Sequence, residues 1–190
     1  HRRLCDETPT VESVSSNPQI PQHPVSLPYD LDQLRDKYVE QKQANSKFLK
    51  NLKKRPPKDL DKRIHQIHDE VFAQTDCLAC ANCCKTTGPL FTTRDIKRIS
   101  KHLGMREAEF EAQYLRVDED NDWVLQQLPC PFLDPDNRCA IYDHRPKACR
   151  EFPHTNRVKF HQITSLTQKN IAICPAAFAV IERMRNSHRN

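Results

Sequence analysis

From Tyr29 to Lys54 the chain carries no proline or glycine, and Leu31, Leu34, Tyr38, Phe48, Leu49 and Leu52 recur at helical spacing among polar residues. This pattern predicts an amphipathic helix. Arg55-Pro56-Pro57 stops it, because proline disfavours helix in the residue before it and has no N–H to donate. Leu60, Ile64, Ile67, Val71 and Phe72 predict a second helix with its apolar face turned to the rest of the chain. Further on, Thr92-Thr93 ahead of Asp95-Ile96 reads as a helix start and Gly104 as its stop, and Met105 to Leu115 as another short helix. Trp123-Val124-Leu125 is a candidate strand, while 129–143 is turn-rich and has no period. Pro146 and Pro175 each suit the first turn of a helix. The former helix carries Cys149, and the latter, through Ala176 to Met184, is apolar enough to close a core. Residues 1–28 hold five prolines and no periodicity, the profile of a disordered arm.

The reading is therefore mainly α: an N-terminal helical extension over 29–74 ahead of a small, irregular, cysteine-rich domain over 75–190. Composition narrows what it can do. Two glycines in 190 residues leave no glycine-rich phosphate loop, so Rossmann and P-loop nucleotide folds are excluded. Neither a signal peptide's apolar stretch nor a run near the roughly 20 residues of a membrane span is present, so a cytoplasmic protein without membrane contact is expected. The formal charge is +5, with its one dense basic patch, Lys47 to Lys58, at a helix end where cations favour the dipole; nucleic acid is an unlikely partner. Only 37% of residues are hydrophobic, which is lean for one domain, and nine are cysteine.

Cys5 stands apart in the arm; the other eight lie between residues 77 and 174. Cys77-x2-Cys80-x2-Cys83-Cys84 packs four thiols into eight residues, too tight for four independent disulfide ends. Thiolate metal binding explains the spacing. A C-x2-C turn aims two sulfurs at one point about 2.3 Å from a zinc, and C-x2-C-x2-C also opens the ligand set of bacterial ferredoxin clusters, which is completed by a Cys-Pro. Two such dipeptides occur, Cys130-Pro131 and Cys174-Pro175. Adjacent side chains usually point apart, so either Cys83 or Cys84 is expected to serve a second centre or to bridge. Zinc and an iron–sulfur cluster both remain open.

These blocks, with Cys130-Pro131-Phe132-Leu133, Cys139-Ala140-Ile141-Tyr142 and Arg145-Pro146-x2-Cys149-Arg150-x-Phe152-Pro153, resemble the zinc- or iron-chelating CxxCxxCC domain family, the YkgJ-like cysteine cluster proteins, over about residues 75–178. The resemblance implies Cys77, Cys80, Cys83, Cys84, Cys130, Cys139, Cys149 and Cys174 as metal ligands and a metal ion as partner. It implies no reaction. A relative of the family, the flagellin lysine N-methylase, shares the cysteine domain, which leaves an iron–sulfur redox or methyl-transfer-associated enzyme component as the alternative function. Arg145 and Arg150 are candidates to place positive charge or N–H donors beside the sulfurs, the competing reading being surface pairs with Asp136, Asp143 or Glu151. His65, His68, His144, His154 and His161 are weaker ligand candidates. The run Asp118 to Asp122 lacks the glycine and closing glutamate of a calcium loop and reads as solvated.

Overall fold

The computed structural model of the chain describes residues 26–187. The expected arm, apart from residues 26–28, lies outside them, and Cys5 with it. The helices are α1 (Leu31–Lys54), α2 (Leu60–Phe72), α3 (Cys77–Cys80), α4 (Asn82–Thr86), α5 (Thr93–His102), α6 (Glu107–Tyr114), α7 (Lys147–Glu151), α8 (Thr164–Asn170) and α9 (Pro175–Asn186). Three short strands, β1 (Leu90–Phe91), β2 (Leu115–Val117) and β3 (Trp123–Leu125), form one antiparallel sheet in the order β1-β3-β2. The fold is mainly α. Among the described residues no helix is long and apolar enough to cross a membrane.

Helix α1 begins at Asp30, whose carboxylate accepts from the Gln33 N–H at 2.7 Å while the Gln33 side chain accepts from the Asp30 N–H at 3.2 Å. It ends at Arg55, before the proline pair. The apolar stripes of α1 and α2 find their cover at the other end of the chain: Leu34, Leu49, Leu52, Leu60, Ile64 and Val71 share one core with Phe160, Ile171 and the buried face of α9, Ala176 to Ile181. Polar contacts fix the register of that packing. Glu182 accepts from Tyr29 and from Gln41, and Arg185 donates to Gln41 and, at 2.7 Å, to Asn45, which is itself buried.

A second core sits between α5, α6 and the sheet. Phe110 is fully buried at its centre, its ring 6.0 Å from Phe91 and 6.2 Å from Phe132, with Tyr114 packed against both Phe110 and Phe132. Helix α6 ends one residue before the expected stop because Leu115 turns extended and pairs with Leu125. The acidic run is the turn between β2 and β3, where the Asp118 carboxylate accepts from the Asp120 and Asp122 N–H groups and Asn121 takes a left-handed φ of 64°. Strands of two and three residues are too short to register as an alternating pattern, so β1 and β2 were not anticipated by periodicity.

Candidate metal centre

The cysteine segment is built from two helical turns broken at one residue. Asp76 caps the first by accepting from the Leu78 N–H at 2.8 Å. Ala81 then takes φ 47° and ψ 17°, a left-handed conformation uncommon for a residue with a Cβ, and α4 restarts at Asn82. This reversal turns what the spacing presented as a plain turn into two short helices, with Cys77 and Cys80 on one and Cys83 and Cys84 on the other. The Cys83 and Cys84 sulfurs lie 4.0 Å apart.

Three tethers bring the distant cysteines to this segment. The Asn82 side chain donates to the Ile173 carbonyl at 2.8 Å, holding the residue before Cys174 against α4. The Cys130 N–H donates to the Cys84 carbonyl at 2.8 Å. Asn137, at the tip of the turn between Cys130 and Cys139, donates from its side chain to the Leu78 carbonyl at 2.7 Å. Cys139 is drawn in by its bridge to Leu133. Cys149 is delivered by α7, whose first N–H, that of Lys147, donates to Asp95 at 3.1 Å.

All eight described cysteines are free thiols, partly buried except for the exposed Cys77. Among the described residues no three His, Cys, Asp or Glu side chains close to a finished metal-holding geometry. Their electrostatics are set by burial and by neighbouring sulfurs. Burial pushes Cys174 up to about 12, with Cys77 and Cys80 as its neighbouring sulfurs, while N–H groups of Ala177 and Ala176 oppose the shift. Burial likewise pushes Cys149 up to about 12, reinforced by Cys84, Cys130 and Cys139 and opposed by Arg145. Cys130 is pushed up to about 11 and Cys139 is raised, again by burial first, with opposing hydrogen bonds from the Phe132 and Ile141 N–H groups and added repulsion from Cys84. Cys77 is raised by burial and by Cys80. Cys83 is raised chiefly because its thiol donates to Cys84, and the same bond, helped by Arg145 and Lys85, lowers Cys84.

Arg145 stacks its guanidinium 3.6 Å over the Tyr142 ring and favours the thiolate forms of Cys77, Cys84, Cys139 and Cys149. Arg150 donates to the Arg145 carbonyl at 2.6 Å, so it supports the backbone that carries Arg145. Of the three carboxylates offered as competing partners, Asp136 pairs with Arg138 and Glu151 with Lys147. Three of the candidate histidines have other neighbours. His68 hydrogen-bonds Thr155 at 2.7 Å and stacks on Phe72, His144 stacks on His102, and His154 sits 3.9 Å from Glu151.

One pair of positioning residues was missed. Asp95, 2% exposed, caps α5 through Thr92, pairs with Arg98 at 2.5 Å and receives the Lys147 N–H; Arg98 in turn donates to the Arg145 carbonyl at 3.0 Å. The sequence marks Asp95 only as part of a helix start. Nothing local to it announces a partner some fifty residues onward.

A soft, all-sulfur donor set of partly buried thiols, three of them accepting backbone N–H bonds, is chemically matched to zinc or iron. The family described as "Putative zinc- or iron-chelating domain" matches residues 76–174, more than half the chain. The chain belongs to this family. The chain is also similar to an uncharacterized protein of Methanocaldococcus jannaschii, 30% identical over 91 residues, which are 46% of this chain and 49% of that protein. The chain thus spans about half the length of that curated relative. No solved structure matches.

Proposed function

We propose that this chain is a metal-holding module in which Cys77, Cys80, Cys83, Cys84, Cys130, Cys139, Cys149 and Cys174 chelate zinc or iron, with the charge of Arg145 beside them. The observation that carries this reading is the crowding of eight free thiols brought from separate segments, of which Cys77, Cys83, Cys130, Cys139, Cys149 and Cys174 are raised by burial and by neighbouring sulfurs. Thiolates packed in this way repel one another. A cation among them removes that repulsion, and the Phe132, Ile141 and Ala177 N–H groups are already directed at sulfur. When bound, the metal supplies a positive centre that converts protonated thiols to ligands. The chain's own contribution is to hold the sulfurs in place and to limit water around them.

The deciding experiment is purification of the full chain without oxygen, followed by elemental analysis, sulfide determination and an absorbance scan. Colourless protein with stoichiometric zinc, or coloured protein with iron and acid-labile sulfide, supports chelation and names the metal. Folded protein that carries neither metal, takes up neither, and melts identically with and without a chelator overturns the reading.

A further inference from the structure

Eight cysteines admit many divisions into ligand sets, and the two neighbours Cys83 and Cys84 are where a division has to be made. Around Cys83 the tethering runs to the C-terminal core. The Asn82 side chain holds the Ile173 carbonyl at 2.8 Å, and Cys174 follows as the N-cap of α9, its sulfur accepting the Ala177 N–H at 3.4 Å. Cys77 and Cys80 sit on α3, one turn back across the left-handed Ala81. Around Cys84 the tethering runs the other way, to the core built on α5, α6 and the sheet. The Cys130 N–H meets the Cys84 carbonyl at 2.8 Å, the Leu133–Cys139 bridge folds Cys139 back over Cys130, and α7 brings Cys149 from the same side through Asp95.

We propose that Cys77, Cys80, Cys83 and Cys174 form one metal centre and that Cys84, Cys130, Cys139 and Cys149 form a second beside it, divided at the Cys83–Cys84 peptide bond. This inference rests on the chelating role proposed above. A tetrahedral thiolate site takes four sulfurs, so a second centre uses the remaining four of the eight cysteines between residues 77 and 174. The 4.0 Å between the Cys83 and Cys84 sulfurs makes the two centres close neighbours.

The test uses the metal-loaded full chain, with a chelator added in graded amounts and the exposed thiols alkylated and mapped by mass spectrometry. The expected result is labelling in two steps. One step exposes Cys77, Cys80, Cys83 and Cys174 together, and the other exposes Cys84, Cys130, Cys139 and Cys149. In parallel, Cys80→Ser and Cys139→Ser are each expected to halve the metal content of the purified chain, and the double variant Cys80→Ser/Cys139→Ser to abolish it. Cys80→Ser/Cys174→Ser, confined to one set, is expected to lose no more metal than Cys80→Ser. Labelling of all eight thiols in one step, or in steps that mix the two sets, overturns the division while leaving chelation intact. A wild-type chain that binds no metal instead overturns the chelating role itself. Because the labelling uses wild-type protein, it decides the matter even where a variant fails to fold.

Discussion

At the scale of single residues, Arg145 is the cation that acts on the largest share of the thiols. Its guanidinium is oriented by the Tyr142 ring, and its effect reaches Cys77, Cys84, Cys139 and Cys149. Groups that support metal ligands without binding the metal are commonly worth about 10- to 100-fold in affinity. Arg145→Gln is therefore expected to weaken metal retention by about that factor in competition with a chromogenic chelator, with partial recovery in Arg145→Lys. Arg150→Gln, which acts only through the Arg145 carbonyl, is expected to do less. Equal losses in the two variants would show that Arg145 acts through packing alone. The cysteine blocks and both arginines could be proposed from the sequence because metal-ligand spacing is a local signal. The sequence does not disclose Asp95, Asn82 or Asn137, whose partners Lys147, Ile173 and Leu78 are distant along the chain and are backbone groups with no residue-type signature.

At the scale of elements, the Asp95–Arg98 pair joins α5 to α7 and thereby fixes where Cys149 arrives. Removing one partner of a buried ion pair leaves the other uncompensated, typically at about 3 to 5 kcal/mol; the partly exposed Arg98 puts Asp95→Ala nearer the lower figure, measurable by denaturant unfolding of the loaded chain. The pH dependence has a definite sign. Burial alone would raise the Asp95 carboxyl, but hydrogen bonds from Thr92, Arg98 and the Lys147 N–H outweigh it and hold the group below its ordinary value. A depressed carboxylate contributes stability that is fully present above its unfolded value, about 3.9, and is lost as pH falls through the folded value. The gap in unfolding free energy between wild type and Asp95→Asn is accordingly expected to be constant from neutrality down to about pH 4 and to narrow below it, while acid release of metal affects both proteins alike. On α6, Phe110→Ala is expected to cost about 3 to 5 kcal/mol, since Phe110 fills the centre of its core. Long amphipathic elements such as α1, α2 and α9 are written plainly in apolar spacing. Helices α3 and α4, of four and five residues, have no room for a period and depend on Asp76 and on the backbone of Ala81.

At the scale of the whole molecule, each of the two apolar cores packs against its own cysteines. Cys174 packs against the core of α1, α2 and α9, and Cys130 and Cys139 pack against the core of α5, α6 and the sheet. Under the proposed chelation, the lean composition is offset at these cysteines by metal ligation in place of burying more hydrocarbon. Chelation is expected to lower the thermal midpoint and to speed hydrogen exchange most over residues 77–91 and 128–153, while the amides of α1 and α9 stay protected by their own core. Uniform loss of protection would mean that the cores do not stand without the metal. Cys174 has a further consequence through its place in the chain, as the cap of α9 followed by Pro175 at the helix's first turn. During synthesis Cys77, Cys80 and Cys83 leave the ribosome nearly together, but Cys174 follows some ninety residues later, immediately ahead of the helix that α1 and α2 are waiting to cover. An unfinished chain lacks both that sulfur and that helix, so the arrival of one short segment brings the last of the proposed ligands and seals the hydrophobic interior in a single event.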